Sequence, residues 1–207
     1  MRLALRTPVF IVLGALALAG CGSSDPDYYT LKPWPGVAQA GGPLTFKLRT
    51  PAVASYLDRD YIVRNAVGYK LKVAHDAAWG EPLADMIGQV LAQDLQQRLP
   101  GSTVFTQTGA ISTDAQAVLE LDITQFAQDP AGNAEFTATL SVQRPDGGPA
   151  VSHPLHLTMA PAGTGVAELA AALSQLLGQV ADEAAREARA LGPVVPAALP
   201  LEPPLKT

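Results

Sequence analysis

The first twenty residues determine where the folded part of the chain begins. A basic start with Arg2 and Arg6 is followed by an apolar run over residues 9–19. This order of positive end, hydrophobic middle and small residues is typical of a secretory signal peptide. About eleven apolar residues are too few to cross a ~30 Å hydrocarbon core as a helix. We therefore predict that residues 1–20 are removed on export and that the fold is built from residue 21 onward.

The end of this segment, Leu18-Ala19-Gly20-Cys21, resembles the lipobox of bacterial lipoproteins. That resemblance implies that Cys21 becomes the new N-terminus and carries a diacylglycerol and an amide-linked acyl chain such as palmitate. Several acyl chains hold a protein on a membrane firmly, whereas one does so only marginally. Aspartate after the lipidated cysteine favours the inner membrane, and Gly22 stands there instead. The resemblance therefore implies an outer-membrane anchor facing the periplasm. The alternative is that Cys21 is a small residue at an ordinary cleavage site, or a buried thiol.

The rest of the chain divides into a tether, one domain and a tail. Residues 21–27 form a lipidated tether that reaches at most ~25 Å when extended. Residues 28–191 are the length of a single domain. Residues 192–207 contain five prolines and are predicted to form a flexible tail. The net charge of −5 argues against a nucleic-acid partner, because phosphate binding needs a concentrated basic surface.

Hydrophobic periodicity predicts an α+β domain. Alternating apolar and polar residues predict strands at 28–31, 44–49, 67–73, 117–124, 136–142 and 151–159. An amphipathic helix is predicted between Gly80-Glu81-Pro82 and Leu99-Pro100-Gly101, and a second one from Val166 to about Leu191. Residues 51–64 show no clean period. Hairpin-connected strands with two helices predict a single domain, in which a mainly antiparallel open sheet carries both helices on one face.

The sequence offers no clear catalytic or metal-binding pattern. His153 and His156 are three residues apart in a predicted strand, so their side chains should point to opposite faces. His75 is the one other histidine, and a zinc site usually needs three or four convergent ligands. The serines lie in no recognisable nucleophile motif. We therefore expect no metal, no cofactor and no enzymatic activity.

One loop has the composition of an interaction surface. Tyrosine, leucine and arginine occur together there, and Tyr and Arg in particular are enriched where proteins bind one another. The predicted contact residues are Tyr56, Leu57, Asp58, Arg59, Arg64 and Trp79. Two alternatives stay open. The loop could be a structured turn in which Arg59 pairs with a neighbouring acid, and Trp79 could be a packing wedge beside the first helix.

Several motifs in order resemble one lipoprotein family. The lipobox is followed by Tyr28-Tyr29-Thr30-Leu31, by the segment 51–64 and by Trp79-Gly80-Glu81-Pro82-Leu83. This arrangement is similar to the ABC-type transport auxiliary lipoproteins, the PqiC-like family.

The resemblance implies a non-enzymatic adaptor that works with a mammalian-cell-entry (MCE) domain protein and an ABC transporter. Such systems move phospholipids or other apolar molecules between membranes. The resemblance further implies that the lipoprotein forms a ring-like homo-oligomer. Two other functions stay open: a lipid-binding carrier with a groove between helices and sheet, and a structural lipoprotein that assists another outer-membrane complex.

Overall fold

The computed structural model describes residues 25–41, 44–64, 70–110, 113–145 and 151–192. The predicted signal peptide, the lipidation site Cys21 with the first part of the tether, and the tail from residue 193 lie outside the described residues. In chain order the elements are β1 (Asp27–Tyr29), β2 (Thr45–Leu48), β3 (Ala52–Val53), β4 (Tyr61–Arg64), β5 (Lys72–Trp79), α1 (Leu83–Arg98), β6 (Thr103–Thr106), β7 (Ala117–Gln128), β8 (Ala134–Gln143), β9 (Val151–Met159) and α2 (Val166–Ala190).

The described strands form two sheets. The smaller has the order β1-β5-β4, and the larger has the order β6-β2-β7-β8-β9, with β3 paired to β7. The long pairs β7–β8 and β8–β9 are antiparallel, and so is β4–β5. The pairs β1–β5, β2–β6, β2–β7 and β3–β7 are parallel. The predicted α+β class with two helices is confirmed, but the strands divide between two sheets. In the larger sheet, parallel pairing arises because α1 lies in the crossover that brings β6 and β7 back beside β2.

The three long strands of the larger sheet, β7, β8 and β9, were correctly predicted from alternating apolar and polar residues. Their apolar residues share one buried face, where Leu121 pairs with Leu140 and Ile123 with Ala138. The opposite face carries mostly polar residues, among them Glu120, Asp122, Glu135, Thr137, Thr139, Ser141, Ser152, His156 and Thr158. An antiparallel sheet packed on one side and solvated on the other has this pattern. Pro154, which has no N–H to donate, lies on the edge strand β9.

Three short strands and one boundary differ from the prediction. The strands β3, β4 and β6 are two to four residues long, too short for a period-2 pattern to stand out. The strand predicted at 67–73 is found at Lys72–Trp79. Residues 65–69 lie outside the described part of the chain. Most of β5 reads Ala-His-Asp-Ala-Ala, in which small alanines give little contrast between its two faces.

Both helices pack against the larger sheet and against each other. The predicted stripe on α2 is buried, with Leu173, Leu176 and Leu177 fully covered. On α1 the buried stripe includes Ile87, Leu91 and Leu95. These side chains form one continuous core with the inner faces of the strands. Among the residues described, no helix has the length and apolar character needed to cross a membrane.

Candidate functional site

The predicted contact loop lies between β3 and β4 and docks on an irregular point of β7. The pairing of β7 with β8 shifts register between Ile123 and Gln125, which leaves Thr124 as an extra residue. A bulge of this kind takes backbone groups out of the ladder. The hydroxyl of Tyr56 lies 2.8 Å from the Thr124 carbonyl oxygen and 2.6 Å from Oε1 of Gln125. The side chain of Tyr56 therefore fastens the loop to the bulge.

The environment of Tyr56 keeps its phenol protonated. Burial raises its pKa above the ordinary value, and the negative charge of Glu135 raises it further. A protonated phenol is a hydrogen-bond donor, as the neighbouring carbonyl requires. Tyr56 therefore belongs to the internal support of the loop as well as to its surface.

Two of the predicted contact residues face the core. Leu57 is 1% exposed and Trp79 is 6% exposed. The indole of Trp79 packs against Phe126, with ring centroids 6.4 Å apart, and its backbone N–H donates to the Asp60 carbonyl at 2.7 Å. Trp79 therefore packs in the core beside the first helix, which is the alternative given above. Leu57 and Trp79 both support the loop from its buried side. Their apolar character suggested a contact surface in the sequence, but in the fold these side chains contribute to the core.

Arg64 joins three parts of the structure. Its Nε donates to Oε1 of Gln128 at 3.1 Å, and its Nη2 donates to the Thr164 carbonyl at 2.9 Å. These bonds link the end of β4 to the end of β7 and to the turn before α2. The guanidinium is thus engaged within the chain, although part of it reaches solvent.

The exposed part of the region is the Arg59 surface, which we define as Asp58, Arg59, Tyr61 and His75. All four residues are exposed, and the rings of Tyr61 and His75 lie 6.0 Å apart. Among the described residues, no ion pair includes Arg59. Tyr61 flanks the loop in sequence, and neither Tyr61 nor His75 is among the predicted contact residues. Tyr61 and His75 could have been found as exposed positions on the paired strands β4 and β5.

The histidines of β9 point to opposite sides of the sheet, as strand geometry predicts. His156 lies on the polar face near Glu135 and Thr137. His153 faces α2, where its Nδ1 lies 2.7 Å from Oε1 of Glu187 and its Nε2 lies 4.0 Å from Oε1 of Glu183.

The ligand atoms of His153, Glu183 and Glu187 lie within 4.8 Å of one another, close enough in principle to hold a cation. Arg186 already binds Glu183 at 2.5 Å, so the group forms an ion-pair network. Sequence analysis missed it because the acids lie one helical turn apart and far from the histidine in sequence.

Replacing His153 by alanine should destabilise the fold more than the same change at His156. Burial raises the pKa of Glu187, and its buried Oε2 has no hydrogen-bond partner among the residues that the structure describes. Removing His153 deprives that carboxylate of the partner that lies 2.7 Å from its Oε1, at a cost of about 1–3 kcal/mol. His156→Ala, an exposed change in the same strand, should cost no more than about 0.5 kcal/mol. Urea denaturation measures both, and equal effects would contradict the assignment.

A strap, residues 30–41, covers the seam between α1 and α2. Its backbone is fastened at several points by side chains of the helices. The N–H of Lys32 donates to Oγ of Ser174 at 3.1 Å, and that of Trp34 donates to Oδ1 of Asp94 at 2.7 Å. The N–H of Gln39 donates to the Arg98 carbonyl at 2.8 Å. The strap therefore runs alongside both helices from near their N-terminal turns toward their C-terminal turns.

Arg98 is the centre of this arrangement and is 1% exposed. Its Nε donates to Oδ1 of Asp182 on α2 at 2.6 Å. Its Nη1 donates to the carbonyl oxygens of Trp34 and Asp94 at 3.2 and 3.1 Å. One guanidinium therefore links the strap to both helices, and we call this group, with Asp94 and Asp182, the polar clasp.

Asp94 is the fully buried acid of the polar clasp. Its Oδ2 has no hydrogen-bond partner in the described part of the chain. Burial raises the pKa of Asp94 to about 6, against the lowering effects of the Trp34 N–H and of Arg98. The carboxylate oxygen Oδ1 lies 4.0 Å from the Arg98 guanidinium, so their attraction acts without a direct hydrogen bond.

Two glycines allow the strap to lie close to the helices. A Cβ on Gly36 would overlap the guanidinium of Arg98, and a Cβ on Gly178 would approach the Cβ of Trp34 to 2.8 Å. Neither glycine needs an unusual backbone conformation at these positions. Their role is to leave room for a buried arginine and for an indole.

The described domain matches one known protein family. A family model described as ABC-type transport auxiliary lipoprotein component matches residues 29–185. The chain belongs to this family. The match begins at the last residue of β1 and covers β2 to β9, α1 and most of α2.

Two named relatives support the same grouping. The chain is 30% identical over 125 residues to the intermembrane transport lipoprotein PqiC of Escherichia coli K12 and to that of Shigella flexneri. Each alignment covers 56% of this chain and 63% of the relative. The alignment therefore spans less than two thirds of those relatives, and the role in their name is a starting point for a proposal here.

Solved structures show the same fold. The crystal structure of an uncharacterised protein aligns with a TM-score of 0.67 at 21% identity, over 79% of this chain and 99% of that one. A Xanthomonas campestris protein of the DUF330 family aligns with a TM-score of 0.64 at 21% identity, over 77% and 92% of the two chains. At this identity the comparison establishes the architecture alone.

Proposed function

We propose that this chain is an outer-membrane lipoprotein that acts as the adaptor of an MCE–ABC transport system. In this proposal acyl chains on Cys21 anchor the domain to the periplasmic face. The domain then docks the MCE-domain protein and forms a homo-oligomer at the outer-membrane end of the path. The cargo class is phospholipid or another apolar molecule. The lipoprotein performs no chemistry on it.

The family match over residues 29–185 is the observation that carries this proposal. It is supported by the position of the lipobox, because Tyr28, at the start of the fold, comes seven positions after Cys21. An extended tether of that length reaches at most ~25 Å, so the domain would lie close to its membrane. The name of the PqiC relatives, intermembrane transport lipoprotein, agrees with a role between two membranes.

A carrier that holds lipid between its helices and sheet is the main alternative. In the described fold that space contains buried side chains of α2, such as Leu173 and Leu177, packed with Phe136 and Leu140 of β8. Tightly packed interiors leave little room for a ligand without rearrangement. The geometry therefore favours the adaptor over a carrier of that design.

Crosslinking in intact envelopes tests the proposed function as a whole. The lipidated protein is crosslinked, purified and identified with its neighbours by mass spectrometry. Recovery of an MCE-domain protein is the expected result, and a Cys21→Ser variant should lose both this partner and the membrane fraction. Recovery of bound phospholipid without such a partner would favour the carrier instead.

The Arg59 surface is our proposed contact with the partner. Arg59→Ala should weaken binding to the MCE-domain protein by about 2 kcal/mol, roughly thirtyfold, as is common for an exposed arginine at an interface centre. Arg49→Ala is the matched control, because Arg49 is also exposed but pairs with Glu120 on the polar face of the larger sheet. Both variants should keep the thermal stability of the wild type.

Binding of the purified partner by surface-attached protein measures these effects. Equal affinities for wild type, Arg59→Ala and Tyr61→Ala would remove the Arg59 surface from the proposal. Crosslinking would still test the proposed function independently, since recovery of the partner does not depend on which face of the domain makes the contact.

A further inference from the structure

An apolar groove lies at the N-terminal end of α2, outside the Arg59 surface. Its walls are formed by Tyr28, Pro33, Trp34 and Pro35, and its floor by small residues that include Ala171. The volume is about 470 Å³, within the range of small-ligand sites. Tyr28 is 70% exposed and Trp34 is 40% exposed. We call this the aromatic groove.

Grooves lined by aromatic rings and small residues suit one class of peptide. Proline-rich segments in the polyproline II conformation bind in them, because the segment is already extended and loses little entropy on binding. The tail of this chain, from residue 193, contains Pro200-Leu201-Glu202-Pro203-Pro204. It thus carries the P-x-x-P spacing that such grooves recognise.

The path from the end of α2 back to the aromatic groove has the right length. Gly192 has a φ of 70°, a left-handed conformation that redirects the chain after the helix. The carbonyls of Leu191 and Gly192 accept from Arg144, which fixes this exit. From residue 190 back to residue 171 the helix spans about 29 Å at 1.5 Å per residue. A polyproline II segment rises about 3.1 Å per residue, so nine or ten residues bring residues 201–203 to the groove.

The charges at that point are complementary. Lys32 lines the aromatic groove and is exposed, and none of the ion pairs found in the described part of the chain includes it. Glu202 is the single acidic residue between 193 and 207. The reach of the tail is long enough for Glu202 to come near Lys32.

From the lining of the groove, the reach of the tail and this charge match, we infer that the tail folds back along α2 and binds in the aromatic groove of its own chain. Residues 200–204 lie against Trp34 and Tyr28, and Glu202 pairs with Lys32. This inference concerns a site within the chain and does not depend on the proposed transport function. It assigns the tail the role of covering an apolar surface next to the membrane anchor.

Fluorescence quenching of the full-length lipidated protein tests the inference. The protein is placed in nanodiscs of phosphatidylethanolamine and phosphatidylglycerol and titrated with acrylamide, a neutral quencher. The chain has two tryptophans and Trp79 is buried, so quenching reports on Trp34. Pro200→Gly with Pro203→Gly should expose Trp34, so that about half of the emission becomes quenchable. Pro193→Gly with Pro196→Gly, which keeps the distal motif, should leave Trp34 protected.

Exchanging the charges of Lys32 and Glu202 tests whether the tail binds at a specific position or whether the proline substitutions act only by making the tail more flexible. Glu202→Lys alone should expose Trp34, and Lys32→Glu combined with Glu202→Lys should restore the protection. Circular dichroism of each variant confirms an unchanged fold. Protection that persists in the distal proline variant but disappears without lipid would assign the groove to an acyl chain. Protection that falls on dilution would assign it to the tail of a second copy. Either result would overturn the inference, as would a Trp34 that is fully quenchable in the wild type.

Discussion

Replacing Arg98 by methionine should lower the free energy of unfolding by about 3–5 kcal/mol at pH 7.5, because it leaves a buried carboxylate without its cation. The guanidinium is almost fully buried and donates to Asp182 and to two backbone carbonyls. Methionine fills a similar volume but offers no donor to these oxygens. The strap should also loosen, which faster amide hydrogen exchange at Trp34 and Gln39 would reveal.

Arg186→Met is the matched control for this experiment. Arg186 is exposed on α2 and pairs with Glu183, so the same substitution there should cost no more than about 1 kcal/mol. A similar loss for both variants would mean that the polar clasp contributes no more than a surface ion pair. Adding Asp94→Asn to Arg98→Met should recover part of the stability, because the uncompensated charge is then gone.

The sequence predicted the parts of this fold that depend on a regular period. The strands β7, β8 and β9 and both helices have long stripes in which one face is buried, and each was predicted to within a few residues. The strands β3, β4 and β6 were missed because they are short and depend on neighbours distant in sequence. The strand β3, for example, exists through pairing with Asp122 and Ile123.

The candidate site was less predictable, because composition does not say which way a side chain points. Leu57 and Trp79 have the character of contact residues, yet the fold uses them as core. Arg59 and Asp58 are exposed because they lie at the tip of a loop whose neighbour Tyr56 is fastened to the bulge at Thr124. That bulge is a register shift between two strands, which local sequence does not reveal.

One feature of the sequence could have indicated the polar clasp. Asp94 and Arg98 stand four residues apart, in register with the apolar stripe of Leu91 and Leu95. Charged residues at core-facing positions are rarely buried unless they are paired, so they predict a partner. The identity of that partner, Asp182 together with the backbone of the strap, depends on tertiary packing alone.

Stability should fall as the pH rises from about 5 to 7.5, and Asp94 should account for much of the change. Burial raises the pKa of Asp94 to about 6 from its ordinary value of 3.8. Between those values the folded state holds a proton that the unfolded state has released. The contribution is therefore fully present below pH 3.8 and is lost as the pH rises through 6. A shift of this size corresponds to about 3 kcal/mol.

Asp94→Asn isolates this contribution from other groups. Burial also raises the pKa of Glu187, so the wild type carries more than one group of the same sign. Asparagine keeps the oxygen that accepts the Trp34 N–H but cannot ionise. Urea denaturation at pH 5 and 7.5 should show that the wild type loses more stability than the variant by about 1.4 kcal/mol, because only about one pH unit of this interval lies below a pKa of about 6. Equal losses would mean that Asp94 is already charged at pH 5, and that the attraction of Arg98 outweighs burial and the repulsion from Asp182.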